Sequence, residues 1–403
     1  MSGISQAWDF YSTSGYRSAG SGISSDSFKS ILSADFKISN KDPLKIAVIG
    51  GGLIGPRHAQ TVISNLSTVL YALVELSSHG PSLARTLDTT YHFSISSLLP
   101  TIPLPDAAII CTPNHTHVPL ALELISAEIP ILVEKPVATS LPSGLELVEV
   151  ARKANVKVLV GHHRRFNTYL LATKAGLPNL GRILAIQGTW ALQKPPSYFT
   201  TPETNTWRQR VEDGGGVILI NLIHEVDLVQ YLFGPINLVS ALQTGKGRGY
   251  EVEEGAAVMM RFASGVVGSF VFSDNSPSPW NFEAGTGENP LIPKVEAADG
   301  FYRVLGEKGS LSVPGLTRWS YDEVPGKEEH VEKGWGRVLK KEKLEVRVED
   351  VPFDLQLNHF VEVVRGTEEP CCSGEDALRA LKVCQAIKMA TKNDDGYPIK
   401  IEA

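Results

Sequence analysis

The chain carries the stretch KIAVIGGGLIG at residues 45–55. Its apolar first half is typical of a buried parallel strand, because strands covered on both faces consist of continuous apolar runs. The second half has the spacing G-x-G-x-x-G, and a helix is expected to begin where it ends. Glycines at this spacing allow a tight turn and let backbone N–H groups approach a pyrophosphate at the helix N-terminus. The stretch therefore predicts a dinucleotide-binding loop. Its predicted cofactor-binding residues are Gly50, Gly52, Leu53, Ile54 and Gly55.

An acidic residue follows the next apolar run. Glu75 comes directly after Val69–Val74, roughly 20 residues beyond the glycines, where this fold carries an acid that binds the adenosine ribose. A carboxylate there binds the ribose hydroxyls and repels a 2′-phosphate. The pattern therefore favours NAD as the cofactor and does not exclude NADP. The alternative interpretation of Glu75 is a solvated residue at the end of a strand.

The pattern of elements divides the chain into two domains and an arm. Strands and helices alternate up to about residue 161, which indicates βαβ units and a parallel sheet. Longer strands and separate helices follow. We therefore predict an α/β protein with a Rossmann domain at 44–164 and an α+β domain for substrate binding and oligomerisation at 165–403. Residues 1–43, rich in serine and glycine, are predicted to form a flexible arm.

Composition and charge limit the class of protein. The net charge of −6 argues against nucleic acid as a partner, which favours a basic surface. The four cysteines lack the spacing of a zinc site, so we predict no metal and a reducing, cytoplasmic location. No apolar run approaches the about 18 residues of a membrane span, so no membrane association is expected.

Two loops at the expected edge of the parallel sheet carry polar residues. Ligands bind at the carboxyl ends of the strands in doubly wound folds. The first loop offers candidates for cofactor contact, which are Thr112, Pro113, Asn114 and His117. The next strand ends in Glu134 and Lys135. A lysine there polarises an alcohol or carbonyl oxygen as a hydride moves; the alternative interpretation of Lys135 is a surface salt bridge.

A glycine turn precedes a histidine in the second half of the chain. Gly214–Gly216 leads into a predicted helix over 217–233 that carries Asn221, His224 and Asp227. Residues three apart share one face of a helix. A histidine takes or gives protons near neutral pH, so His224 is a candidate acid/base. The alternative is a hydrogen-bonded histidine in the core.

Together these motifs resemble the Gfo/Idh/MocA oxidoreductases, the group of glucose–fructose oxidoreductase and inositol dehydrogenase. The resemblance runs from about residue 44 to the C-terminus. Its most specific element is the Glu134-Lys135-Pro136 segment. The other matching pieces are Ile46–His58, Thr112–Asn114 with His117, Gly161–Phe166 with Arg164 and Arg165, Trp207-Arg208, and Gly214–Gly216 with His224 and Asp227.

The resemblance implies a second domain with a large, open, mostly antiparallel sheet and a nicotinamide that lies near Lys135. It implies reversible oxidation of a secondary alcohol on a sugar, cyclitol or related polyol, with Lys135 and His224 as catalytic residues. By the same resemblance, Glu134, Lys135 and Arg165 contact the cofactor. The residues implied to contact the substrate are Lys135, Trp207, Arg208, Asn221 and His224.

One position departs from the family pattern. Many members place an aspartate four residues before the histidine, where this chain has Ile220, so inositol specificity does not follow from the resemblance. The segment 275–300 is predicted to be a long loop on the substrate side. There Trp280 offers an apolar wall to a sugar ring, and Glu283 or Glu288 is expected to bind hydroxyls. The alternative for Trp280 is an anchor of the loop.

Three functions are consistent with the sequence. The first is an NAD(P)-dependent dehydrogenase or reductase for a small polyol-like or keto substrate, supported by Lys135 and His224 together. The second is a non-catalytic regulator that binds a dinucleotide. The third is a lyase or glycosidase that uses NAD without net redox change. A homodimer or homotetramer is expected because an open sheet face needs cover.

Overall fold

The computed structural model describes residues 42–200, 206–296, 300–321, 334–347, 350–393 and 395–402. Of the predicted arm at 1–43, residues 1–41 lie outside this part of the chain. Over the described ranges, no helix is both long and apolar enough to cross a membrane.

Six short strands form a fully parallel sheet in the first half of the chain. Their bounds are Leu44–Ile49 (β1), Thr68–Val74 (β2), Thr90–His92 (β3), Ala107–Ile110 (β4), Ile131–Val133 (β5) and Val158–Val160 (β6). The order across the sheet is β3-β2-β1-β4-β5-β6. Every residue of β4, β5 and β6 is buried, which explains their unbroken apolar sequences. The order reverses between β1 and β4, so a crevice opens at the carboxyl ends of these two strands.

Five helices flank this sheet, and their ends follow local sequence signals. Their bounds are Gly55–Ser64 (α1), Gly80–Thr86 (α2), Ile95–Leu98 (α3), His117–Ser126 (α4) and Leu141–Ala154 (α5). The Ser140 side chain caps α5 by accepting a hydrogen bond from the Ser143 N–H. The α1 helix begins at the last glycine of the loop, so its N-terminus lies at the crevice.

Nine strands form the sheet of the second half. Their bounds are Ile183–Ala191 (β7), Ile236–Gln243 (β8), Gly255–Phe262 (β9), Val267–Ser273 (β10), Tyr302–Gly306 (β11), Gly309–Val313 (β12), Thr317–Ser320 (β13), Lys340–Lys343 (β14) and Ile399–Lys400 (β15). The order is β14-β13-β12-β11-β7-β10-β9-β8-β15. Only the β7–β10 pair among these described strands is parallel. The predicted fold class, a Rossmann domain and an α+β domain with a mostly antiparallel sheet, is confirmed.

Helices of the second half pack against the first. Their bounds are Thr168–Gly176 (α6), Ser197–Thr200 (α7), Ile223–Phe233 (α8), Phe282–Thr286 (α9), Pro352–Val364 (α10) and Gly374–Ala390 (α11). A Cβ at Gly144 of α5 would lie 2.5 Å from the side chain of Leu378 of α11, so the two helices pack closely at this glycine. The Val160 N–H also donates to the Cys372 carbonyl at 2.9 Å. The domain boundary at 164/165 stays a prediction; it falls between β6 and α6.

The predicted helix over 217–233 begins with a wider turn. Residues Ile218–Leu222 form a π-helix, and α8 continues from Ile223. The Glu253 carboxylate accepts a hydrogen bond from the Ile218 N–H at 3.0 Å, which satisfies a free donor at this helix start. A π-turn rotates the residues that follow it relative to an α-helix, and such turns are frequent at functional sites.

One prediction for the later part of the chain needs correction. The segment predicted as the loop 275–300 contains the short helix α9, capped by the Asn281 side chain on the Ala284 N–H. Strand β14, at the edge of the large sheet, is charged and exposed, as is common for edge strands.

Candidate active site

The glycine loop has the geometry of a phosphate cradle. Gly50 has a φ of +104°, a conformation that favours glycine. A Cβ at Gly55 would lie 2.0 Å from the Gly50 carbonyl oxygen, so α1 approaches the loop as closely as backbone allows. A Cβ at Gly52 would meet nothing within 4 Å, and the neighbouring Leu53 is 68% exposed. The loop therefore leaves space over Gly52 for a pyrophosphate at the N-terminus of α1.

Glu75 lies against this loop. Its carboxylate accepts hydrogen bonds from the Gly51 N–H at 2.5 Å and the Ser77 N–H at 2.8 Å. Burial raises the pKa of Glu75, but the hydrogen bonds from Ser77 and Gly51 outweigh it, so the pKa lies below its usual value. The carboxylate is therefore charged at neutral pH, and each oxygen keeps capacity for a further donor.

The loops after β4 and β5 are held together at the crevice. The His117 ring nitrogens lie 2.8 Å from the Pro136 and Thr112 carbonyl oxygens, so this histidine joins the two loops from within the core. The Asn114 side chain donates to the Gly214 carbonyl at 2.9 Å. Asn114 thus connects the edge of the parallel sheet to the glycine turn. Thr112 contacts the glycine loop: a Cβ at Gly50 would lie 2.9 Å from its methyl group.

Glu134 is buried rather than open to a ligand. Its carboxylate lies 2.9 Å from the His58 ring of α1. Burial opposes the charged form, but His58 and the ammonium of Lys135 lower the pKa of Glu134 to about 2. A Cβ at Gly161 would come within 3.0 Å of this carboxylate. Glu134 therefore holds the glycine-loop helix through His58, and its charge stabilises the neighbouring lysine.

Lys135 reaches from the parallel sheet to the π-helix. Its ammonium donates to the main-chain oxygen of Ile220 at 3.0 Å. Ile220 stands where the family resemblance implies an aspartate that assists the histidine, and in this chain the main-chain carbonyl of that residue orients the lysine. Burial lowers the pKa of Lys135, and the charge of Glu134 offsets this only in part.

His224 lies in the same site, on the first turn of α8. It is 5% exposed, and its Nδ1 atom is buried without a hydrogen-bond partner among the described residues. Burial, followed by the positive charges of Lys135 and Arg164, lowers the pKa of His224 well below its usual value. The imidazole is therefore neutral at physiological pH and able to accept a proton.

The two arginines after β6 serve the packing of the second domain. Arg164 forms buried ion pairs with Glu225, Glu283 and Glu288 at 2.5, 2.6 and 2.7 Å. The expectation that Glu283 or Glu288 binds substrate hydroxyls is therefore wrong, because both carboxylates compensate this guanidinium. Arg165 was expected to contact the cofactor. Each of its guanidinium nitrogens instead bonds to a protein oxygen, on Asp227, Asp376 or Cys371.

The predicted substrate residues of the second domain lie on separate segments. Arg208 is buried in a 3₁₀ turn, Trp207–Gln209, and its carbonyl oxygen would lie 2.5 Å from a Cβ at Gly215. The glycine turn thus packs directly on Trp207 and Arg208. Asn221 accepts a hydrogen bond from Lys194. Trp280 is 45% exposed, and its carbonyl accepts from the Ala191 N–H at the end of β7 at 2.9 Å.

Two residues of this site were not predicted from the sequence. Lys194 and Tyr198 follow β7, and the Lys194 ammonium lies 4.3 Å from the centre of the Tyr198 ring. The Arg208 guanidinium lies 4.5 Å from the same ring. The only local signal is a lysine just beyond a strand, before Pro195 and Pro196. Without the fold, nothing relates that lysine to Asn221.

One buried group among the described residues has metal-ligating side chains. Ligand atoms of His162, Asp227 and Cys372 lie within 4.8 Å of one another. Asp227 already forms a two-point ion pair with Arg165 at 2.6 and 2.8 Å. A divalent cation there would face that guanidinium, so we assign no metal to this group.

Two family models match the chain in succession. The model described as "Oxidoreductase family, NAD-binding Rossmann fold" matches residues 44–162. The model described as "Oxidoreductase family, C-terminal alpha/beta domain" matches residues 178–401. The second match alone spans more than half of the chain.

Individual relatives agree with this match. An inositol 2-dehydrogenase of Acidothermus cellulolyticus is 29% identical over 282 residues, which cover 66% of this chain and 76% of that protein. A myo-inositol 2-dehydrogenase of Thermotoga maritima is 25% identical over 369 residues, which cover 89% of this chain and 99% of that protein. The structure of the WlbA dehydrogenase from Bordetella pertussis, in complex with NADH and UDP-GlcNAcA, superposes with a TM-score of 0.69. It is 21% identical, and the superposition covers 90% of this chain and 99% of that one; this likeness shows the fold alone.

The predicted enzyme class is confirmed: the chain is an oxidoreductase with an NAD-binding Rossmann fold. The resemblance inferred from its motifs is confirmed over both domains. The chain belongs to the Gfo/Idh/MocA oxidoreductase family.

Proposed function

We propose that this protein transfers a hydride between a nicotinamide dinucleotide and a secondary alcohol or ketone of a sugar, cyclitol or similar polyol-like substrate. One observation carries it: the charge of Lys135 acts on His224 at the crevice edge. Lys135 is held there as a hydrogen-bond donor, and His224 is kept neutral. The inositol dehydrogenases among the relatives support a polyol-like substrate.

The cofactor is held by the glycine loop and by Glu75 in this proposal. The open space over Gly52 and the N-terminus of α1 fit a pyrophosphate. The charged Glu75 carboxylate fits an adenosine ribose that carries both hydroxyls. When bound, the nicotinamide supplies the hydride acceptor or donor. Thr112, Pro113 and Asn114 form the crevice wall on the side of β4.

The chain's own residues handle the oxygen and its proton. The Lys135 ammonium, aimed by the Ile220 carbonyl, donates a hydrogen bond to the reacting oxygen and stabilises negative charge on it. The neutral His224 imidazole takes the hydroxyl proton during oxidation and returns it during reduction. Trp207, Arg208 and Trp280 form the wall of the second domain, and Asn221 offers its amide to a substrate hydroxyl.

Absorbance at 340 nm tests this function. The protein is mixed with NAD or NADP and with a panel of cyclitols, sugars, sugar acids and hydroxy acids, and substrate loss is followed in parallel. NADH formation with one panel member supports the proposal. Tight NAD binding together with substrate loss and no NADH would replace it with the redox-neutral lyase or glycosidase. Dinucleotide binding with neither reaction, coupled to NAD-dependent capture of a partner protein, would favour the regulator.

We expect Glu75→Gln to change the choice of cofactor. The substitution removes the charge that repels a 2′-phosphate, a repulsion on the order of 1 kcal/mol at a partly exposed site. The ratio of the Kd for NADPH to that for NADH should therefore fall roughly fivefold. Quenching of protein fluorescence by each reduced cofactor measures both constants. The exposed Glu146 of α5 provides a control as Glu146→Gln. An unchanged ratio would contradict the role of Glu75.

We also propose that the protein is a homo-oligomer. Side chains on one face of the large sheet are apolar and exposed, among them Leu242, Met259, Val267 and Val271. Strands β8, β9 and β10 are adjacent, so these side chains form a continuous surface. Light scattering tests this proposal, and a monomeric mass at micromolar concentration would contradict it.

A further inference from the structure

Two cations lie over one aromatic ring beside the proposed active site. The Lys194 ammonium and the Arg208 guanidinium lie 4.3 and 4.5 Å from the centre of the Tyr198 ring. The guanidinium also lies 4.7 Å from the Trp207 ring. We call this group the Lys194–Tyr198–Arg208 cluster. Lys194 is 9% exposed and Arg208 is 8% exposed, so both charges are held away from bulk water.

The cluster forms no ion pair with a carboxylate among the described residues. Arg164, which is also deeply buried, is by contrast compensated by carboxylates such as that of Glu225. No ion pair within the described ranges involves Lys194 or Arg208. The Nε and Nη1 atoms of Arg208 are buried without a hydrogen-bond partner there. Lys194 spends one of its three donors on the neutral Asn221 amide.

An uncompensated buried charge is costly, which makes this arrangement informative. Removing the partner of a buried ion leaves a desolvation cost that packing does not recover. The charge of Lys194 acts on the Asp274 carboxylate, but that carboxylate forms its ion pair with Arg248, and no carboxylate among the described residues pairs with Arg208. The positive charge of the cluster therefore favours binding of a negatively charged ligand.

The cluster belongs to the same site as Lys135. Burial raises the pKa of Tyr198, but Lys194, Arg208 and Lys135 outweigh it, and the pKa of the phenol falls below its usual value. Lys194 likewise contributes to the lowered pKa of Lys135. Asn221, which binds Lys194, follows directly after Ile220, whose carbonyl binds Lys135. The cluster and Lys135 are therefore neighbours, held by the adjacent residues Asn221 and Ile220.

We propose that the Lys194–Tyr198–Arg208 cluster binds an oxyanion, a carboxylate or a phosphate, carried by the substrate, so that the enzyme acts on an acidic polyol. This rests on the proposed function, since it assigns the substrate class of the same site. The Nε and Nη1 atoms of Arg208 each keep a charged N–H donor without a partner among the described residues, and Lys194 adds a point charge. The Tyr198 phenol contributes a further hydrogen-bond donor.

Binding to the protein saturated with NADH tests this, measured by isothermal titration. The probes are matched pairs: D-glucuronate against D-glucose, and D-glucose 6-phosphate against D-glucose, with inorganic sulfate as a minimal oxyanion. We expect an oxyanion probe to bind roughly 10- to 100-fold more tightly than its neutral partner, the range of one or two charge-assisted hydrogen bonds. Preference for the glucuronate over the phosphate identifies a carboxylate, and the reverse preference identifies a phosphate.

Variants connect the preference to the cluster. Lys194→Gln and Arg208→Gln should each reduce the preference for the oxyanion probe roughly tenfold or more. Arg208→Lys should retain part of this preference. Arg182→Gln, at an exposed position, should leave it unchanged. The melting temperature of each variant and its Kd for NADH are measured alongside. Equal binding of acidic and neutral probes to the wild type overturns the assignment. So does a preference that survives both substitutions, or a loss of NADH affinity as large as the loss of anion affinity.

These outcomes separate the substrate class from the reaction itself. Hydride transfer to a neutral polyol without oxyanion preference keeps the proposed function and removes the cluster's assignment. Oxyanion binding that requires Lys194 and Arg208, without NADH formation from any acidic panel member, keeps the binding site and removes the proposed function.

Discussion

Lys135→Met should lower kcat/KM for the substrate found on the panel by about 10²- to 10³-fold, the usual effect of losing one group that stabilises charge in the transition state. Methionine retains the length and the apolar stem of the side chain and lacks the ammonium. The Kd for NADH should stay close to that of the wild type, because the glycine loop and Glu75 lie on other segments of the sheet edge. Stopped-flow absorbance and fluorescence titration measure the two quantities.

The controls separate chemistry from folding. The substitution removes the donor to the Ile220 carbonyl, at a cost of about 1 kcal/mol, so the melting temperature of each variant is compared. Lys153→Met changes a lysine whose side chain is 68% exposed on α5 and should leave turnover intact. Unchanged turnover in Lys135→Met would remove the assigned role. A collapse of NADH affinity would instead assign the lysine to cofactor binding.

The parallel sheet was predictable because its determinants are local. Buried strands such as β4 and β5 are unbroken apolar runs, and the glycine spacing after β1 fixes a turn that few other contexts require. The strands from Tyr302 to Ser320 escaped prediction. They are short, and residues on one face are polar or only partly buried, so their hydrophobic pattern is weak; pairing with distant β7 stabilises them.

The site was predictable where it follows a strand end or a motif, and not where distant segments meet. Lys135 and His224 were found because each follows a recognisable motif. Glu283 was misassigned because a polar residue in a predicted loop suggests ligand contact, whereas the fold places it on Arg164. Tyr198 lies in no motif. Its importance comes from Lys194 and Arg208, which both contact its ring, Arg208 from another segment of the chain.

The π-turn is a further feature of the site that the sequence pattern did not predict. A regular helix over 217–233 was expected to place Asn221 and His224 on one face. The wider turn at Ile218–Leu222 changes the phase between them, and it presents the Ile220 carbonyl to Lys135. The side chain at position 220 therefore does not determine how Lys135 is held, because the main-chain oxygen of that residue accepts its hydrogen bond.

His224→Gln should lower kcat for alcohol oxidation by about 10²- to 10⁴-fold, the usual contribution of a positioned acid/base. Glutamine has a similar reach and cannot accept a proton near neutral pH. NADH binding should persist, because His224 lies on the second domain. Lys153→Gln, which changes an exposed side chain on α5, serves as the control. Initial rates of NADH formation at saturating cofactor measure the effect.

The pH profile of the same pair of proteins identifies the proton acceptor. Burial and the charges of Lys135 and Arg164 disfavour the imidazolium, so the pKa of His224 lies well below 6.5. The histidine is therefore a competent base at every pH above that lowered pKa, and kcat/KM for oxidation should stay level through neutral pH and fall only as the pH drops below it. In His224→Gln this acid limb should disappear. If the limb survives, another group takes the proton, and Tyr198, whose pKa the neighbouring cations lower, becomes the acceptor to test as Tyr198→Phe.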